Sequence, residues 1–216
     1  WIRILESSNY ELNLIYFNLY NKSMNDFESN ITKYWVNEFP KVWSLLWSPD
    51  EAKMISQEHK DQIHFLNIEG TLYLRKLLNL SCMSGNLPYN YPFKDYFKSV
   101  DEFYVTEDNK SLKKWLYNKA IPFSKYVFID NDISGQSIML TWKMVIKYSE
   151  GLFFGEDIMI FDSTFNWGLF YYHEGQMYFG KDKIFDNEAE FKKILDNKLL
   201  LEEWAKASLK NSIDKL

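Results

Sequence analysis

Apolar and polar positions change period several times along this chain, and each change marks an element. From Asp157 to Gly180 the run DIMIFDSTFNWGLFYYHEGQMYFG holds three strand-like stretches separated by two turn signals. Ile158, Met159, Ile160 and Phe161 lead into an Asp-Ser-Thr break, and Trp167 to Tyr172 follow. His173-Glu174-Gly175 then offers a three-residue hairpin loop, with glycine where a left-handed backbone is needed. Aromatic and branched side chains dominate because they fit a pleated surface buried on at least one face. The pattern predicts an antiparallel meander, and Lys125 to Asp130 (KYVFID) reads as a further strand leading toward it.

Other segments follow a helical period. Ser23 with Asp26 looks like a capping box, after which Met24, Phe27, Ile31, Tyr34 and Trp35 recur at helical spacing until Pro40. Ser48-Pro49-Asp50-Glu51 reads as a second helix start. Leu74, Leu77 and Leu78 mark a helix from Ile68 to Leu80, ending in the break Ser81 to Asn86. Leu112, Trp115 and Leu116 mark a short helix, and Ile138, Trp142 and Val145 a longer one. Asn187 with Glu190 caps a helix through Phe191, Ile194 and Leu195, and Leu201 and Trp204 continue a C-terminal one. Val42 to Trp47 reads as a short buried strand, while Tyr10 to Tyr20 fits strand or buried helix. The expected fold is α+β: an antiparallel β-meander over about residues 125–180 packed with several helices. A single domain over 1–216 is expected, with a possible subdomain break near 84–92.

With 216 residues, 46% of them hydrophobic, the chain has ample material for a core, and only 8 Gly and 5 Pro argue against a disordered or linker-rich chain. Its 17 Phe, 15 Tyr and 8 Trp exceed what a core takes with every hydroxyl and indole N–H satisfied, so several rings are expected half exposed, as at protein interfaces. The net charge of −5 and scattered basic residues disfavour nucleic acid and suit a basic partner. Cys82 stands alone, which excludes an intrachain disulfide and zinc sites built from paired cysteines and fits a reducing cytoplasm. No apolar run reaches the length of a membrane span, so no membrane partner is expected. The start at Trp1 rather than Met reads as a missing or removed leading segment.

Candidate chemistry is sparse. Asp130-Asn131-Asp132-Ile133-Ser134-Gly135 copies the first half of a calcium loop, but Ser137 and Thr141 fall where an apolar residue and a bidentate carboxylate are needed, so a strand-to-helix turn is the better reading. His59 and His64, five apart, fall on different faces of a helix and lack a third ligand, so no metal is expected. His173 beside Glu174 could do acid–base work, yet neighbours in a tight loop usually point apart, and binding through this exposed loop is the reading preferred. Phosphate cradles, dinucleotide fingerprints, zincin helices and nucleophile elbows have no matching motif. No cofactor is expected.

The segments TWKMVIKYSEGLFF, EDIMIFD and FNWGLFYYHEGQMYFG, between Ser137 and Gly180, resemble the C-terminal part of bacterial immunity proteins that guard against secreted toxins, and of related small bacterial proteins. The resemblance implies a cytoplasmic, non-catalytic binding protein that occludes the active site of one cognate toxin domain. The partner-binding residues expected are Asp130, Asp132, Tyr171, Tyr172, His173 and Glu174, at loops or strand ends. An alternative is a small-molecule hydrolase or transferase with an aromatic-lined pocket served by His173, Glu174 or Asp162. A third is a regulatory domain of a longer protein.

Overall fold

The computed structural model describes residues 27–36, 50, 53–81, 83, 92–93, 96–105, 108–131 and 136–184. Their centre is one seven-stranded antiparallel sheet with strand order β1-β4-β3-β5-β6-β7-β2. The strands are β1 (Ile63–Phe65), β2 (Phe97–Tyr104), β3 (Tyr126–Asn131), β4 (Ile138–Thr141), β5 (Ile158–Phe161), β6 (Trp167–Tyr172) and β7 (Gln176–Lys183). Helices α1 (Gln57–Lys60), α2 (Ile68–Ser81), α3 (Asn109–Tyr117), α4 (Trp142–Lys147) and α5 (Ser149–Leu152) connect them. The expected α+β class and antiparallel meander are both present: β5, β6 and β7 are sequential neighbours, and β3 lies against β5. Among the described residues no helix is long and apolar enough to cross a membrane.

Antiparallel sheets commonly leave one face to water, giving alternate polar positions. Here β4 and β5 are buried at every position because both faces are covered. Val127, Ile129, Ile138, Leu140, Ile158, Ile160 and Leu169 point to one face, under Leu112 and Leu116 of α3, Trp142, Met144 and Val145 of α4, and Leu152 of α5. Phe128, Met139, Met159, Phe161, Phe170 and Tyr178 point to the other, under Leu74, Leu77 and Leu78 of α2 and the rings of Phe27 and Tyr34. Each fully buried aliphatic side chain contributes on the order of 2 kcal/mol of transfer free energy, so this double cover supplies the main stabilisation.

Helices α2 and α3 and strand β3 lie where the sequence places them. Asp108 caps α3, its carboxylate accepting from the Lys110 N–H and the Ser111 hydroxyl, and those bonds hold its pKa below the usual range.

Other elements differ. Ile138 belongs to β4 rather than to the helix of Trp142 and Val145, which begins only at Trp142. A short apolar run carries no period of its own, and pairing with both β1 and β3 decides it. His64 lies in β1, not on a helix with His59. The helical turn opened by Ser56 ends at Lys60, and Ile63–Phe65 then pairs with Leu140, Met139 and Ile138. The run expected to stay helical up to Pro40 leaves helical geometry after the 3₁₀ turn Ile31–Tyr34, for Trp35 is extended and bridges Leu66. Asp50 pairs with Lys53 at 2.7 Å, three residues on. β2 has no counterpart in the sequence reading: Phe97, Val100 and Phe103 recur every third residue, which breaks the alternation of a strand and suits one face of a helix better. The expected elements at Tyr10–Tyr20, Val42–Trp47 and beyond Asn187, with Ser23, Pro40, Cys82 and segment 84–91, lie outside the described residues.

Candidate functional site

The β6–β7 turn is built as the sequence requires: Gly175 has φ +83°, its N–H bonds to Tyr172 O at 2.9 Å, and its carbonyl accepts from Val105 N–H at 2.8 Å. The loop is therefore held from within and from the end of β2. A third clamp comes from Asp157, just before β5. Its Oδ1 accepts the His173 backbone N–H at 2.9 Å and lies 2.8 Å from His173 Nδ1. A carboxylate is an acceptor, so Nδ1 carries a proton and Nε2 is directed elsewhere. Nε2 is 3.6 Å from Glu174 Oε1. The expectation that His173 and Glu174 point apart is thus corrected, because Asp157 turns the imidazole toward its neighbour. Their side chains remain 45% and 67% exposed. The half-buried Tyr172 ring lies 4.3 Å from the imidazole between centroids.

Asp157 was missed because nothing in its local sequence marks it. Only the register Ile158↔Tyr171 sets the residue before β5 opposite the end of β6. The same row continues through Tyr172↔Gln176 and Gln176↔Tyr104 into β2, where Tyr104 is exposed. This end of the sheet therefore presents Asp157, Tyr172, His173, Glu174 and Tyr104 from three separate stretches of chain.

Two expected site residues do not join it. Tyr171 is 4% exposed, with its ring against Phe153 on the aliphatic face, and burial raises its hydroxyl pKa. Strand alternation sends the Tyr171 ring inward as it turns Tyr172 to the other face. Asp130 accepts from Arg75 Nε at 2.8 Å and from Ser137 Oγ at 2.9 Å, while Ser137 N–H bonds to Thr71 Oγ1 at 3.0 Å. The carboxylate, 15% exposed, latches α2 to the sheet. Asp132, Ile133, Ser134 and Gly135 of the calcium-like loop lie outside the described residues.

Asp162, considered for an enzyme site, closes the β5–β6 turn: it accepts from Thr164 N–H at 3.0 Å and from the Thr164 hydroxyl, and Lys125 Nζ lies 3.4 Å away. It stands at the far end of β5 from Asp157. His59 Nδ1 meets the Tyr148 hydroxyl at 3.0 Å. His64 lies flat on Trp35 with ring centroids 3.8 Å apart, and burial lowers its pKa. Among the described residues no three His, Cys, Asp or Glu side chains are grouped to hold a metal ion.

The arrangement at the hairpin tip can do two things. It fixes one imidazole tautomer against a carboxylate, and it presents a rigid ridge of rings and carboxylates to solvent. No family model matches this chain, and no curated protein or solved structure shows significant similarity to it.

Proposed function

We propose that this chain is a non-catalytic binding protein whose recognition site is the β6–β7 tip, with Tyr172, His173 and Glu174 as contacts and Asp157 as the brace. The observation that carries the reading is the double grip of Asp157 on His173, through backbone N–H and Nδ1, with both loop side chains left substantially exposed. A tip fixed before encounter loses little conformational freedom on binding, and that saving adds to affinity. Glu174, Asp157 and the net charge of −5 suit a partner with a basic surface, and charge of this kind mainly speeds encounter and sets specificity. The resemblance in the sequence makes a toxin domain the partner class of choice, in the cytoplasm of a bacterium. The test is co-purification with the product of the adjacent gene and rescue of cells from that product's toxicity. Both are expected with the unaltered chain, and Glu174→Lys with His173→Ala is expected to abolish them. Rescue that survives both substitutions sinks the assignment of this site.

A second reading, a hydrolase or transferase, draws on the same pair: an Asp-oriented histidine with Nε2 facing outward is the orienter-and-base half of an acid–base device. The exposure of His173 and Glu174 favours binding over catalysis, because water there screens the charges that a reacting centre uses. Turnover of an ester or phosphoester panel that is lost in His173→Asn would reverse the preference.

A further inference from the structure

Lysines that are scattered along the chain are gathered by two helices. Leu112 and Leu116 turn one side of α3 into the core, and Trp142, Met144 and Val145 do the same for α4. Helical spacing then sends Lys110, Lys114 and Tyr117 of α3, with Lys143 and Lys147 of α4, to the solvent side, where all five are exposed. Lys113 lies half-buried beside them. The two helices run antiparallel to each other. Near the start of α3, Asn109 Nδ2 donates to Glu150 and the Ser149 hydroxyl donates to Asn109 Oδ1 at 3.5 Å. At its other end the Lys143 N–H bonds to Phe123 O at 3.0 Å, and the Phe123 ring lies 5.7 Å from that of Tyr117.

Carboxylates on or beside these helices are engaged: Glu58 with Lys143 at 3.2 Å, Glu150 with Asn109, and Asp108 as the cap of α3. Among the described residues Lys110, Lys113, Lys114 and Lys147 have no ion-pair partner. Four unpaired ammonium groups on one surface favour an anion, even on a chain of net charge −5. The rings select which anion. Tyr117 and Phe123 are 62% and 49% exposed, with Lys114 one turn before Tyr117 and Lys143 bonded to the backbone of Phe123. Bare rings among lysines match a single strand of nucleic acid, whose bases stack on rings while its phosphates meet the ammonium groups. Bases stacked in a duplex have no free face, and an interfacial membrane helix needs a wider apolar side than one tyrosine and one phenylalanine.

We propose that the outer side of α3 and α4 binds single-stranded nucleic acid, with Lys110, Lys113, Lys114 and Lys147 on phosphates and Tyr117 and Phe123 as stacking platforms for bases. This surface goes beyond the proposed hairpin-tip site and does not depend on it.

The test is fluorescence anisotropy of a labelled oligo-uridine of about twelve nucleotides, titrated with the full chain to about 100 μM. Binding is expected in about 50 mM salt, and the logarithm of the association constant should fall with that of salt at a slope of about −3. Lys110→Glu with Lys114→Glu is expected to weaken binding about tenfold or more and to flatten that slope by roughly one to two. Tyr117→Ala and Phe123→Ala should each weaken binding about fivefold or more while leaving the slope unchanged. Lys76→Glu, on α2 across the sheet, changes net charge as Lys114→Glu does and is expected to shift affinity by less than about twofold. No binding at low salt, ring variants that bind like the unaltered chain, or Lys76→Glu as damaging as Lys114→Glu overturns the proposal. Binding to phosphatidylserine vesicles or to poly-glutamate in place of the oligonucleotide overturns it as well.

Discussion

The two faces of the sheet carry contrasting side chains. Over β3, β4 and β5, Val127, Ile129, Leu140, Ile158 and Ile160 line one face, to which Phe65, Trp167, Tyr171 and Phe179 add rings on β1, β6 and β7, while Phe128, Met159, Phe161, Phe170 and Tyr178 line the other. Branched aliphatic side chains have few rotamers and interdigitate with helices at close range, so the first face needs no special backbone. Rings need flat room. The aromatic face finds it where Gly168 and Gly180 are paired across β6 and β7. There Phe97 lies over Gly180 and Met83 over Gly168, closer than any Cβ would permit. Rings also bring polar atoms that need partners, and the Tyr178 hydroxyl donates to Gln176 Oε1 at 2.7 Å on this face. Asp130 and Arg75 form their latch there as well. The lesson is that one face is made specific by the shape of its side chains, and the other by the absence of side chains at two positions.

Substitutions at the two faces separate these mechanisms. The largest loss is expected for Ile160→Ala, at a position fully shielded from solvent, where a cavity and lost transfer energy together cost about 3–4 kcal/mol in urea unfolding. Gly180→Ala comes next, at about 3 kcal/mol, because the new Cβ falls 2.1 Å from Phe97 Cδ2. Adding Phe97→Ala should recover part of that loss in a double-mutant cycle, and strict additivity would break the comparison. Gly168→Ala should cost less, about 1 kcal/mol, since the atom met is Met83 Sδ at 2.7 Å, on a flexible side chain that can yield.

The smallest effect is a pH dependence at the rim of the aromatic face. Burial lowers the His64 pKa below its ordinary value of 6.5, with Asp61 opposing the shift. As pH falls through 6.5 the unfolded chain takes up the proton before the folded one. Stability from this group is therefore complete above that pH and declines down to the lowered folded value. His64→Phe, which keeps the stack on Trp35, should flatten the slope of the unfolding midpoint between about pH 7 and pH 5. An unchanged slope would remove His64 as its source.

The meander was legible because Ile158 to Phe161 and Trp167 to Tyr172 are apolar runs of strand length separated by turn residues, and Gly175 marks the hairpin. The helices α2 and α3 were legible from leucines at helical spacing. β4 was not, since an apolar stretch as short as Ile138–Leu140 takes its state from the strands on either side. Within the site, His173 and Glu174 could be read from loop chemistry, but Tyr171 and Tyr172 could not be told apart until the sheet fixed which ring faced the core.

Sequence alone therefore determined the class of the fold, the strands of the meander and the loop that ends it, because period, turn residues and side-chain volume act over a few neighbouring positions. Tertiary structure decided that the sheet is covered on both faces, that Asp130 latches α2 to the sheet, and that Asp157 orients His173. Each of those outcomes depends on a register between residues far apart in the chain, and register is set by the packing of the whole sheet.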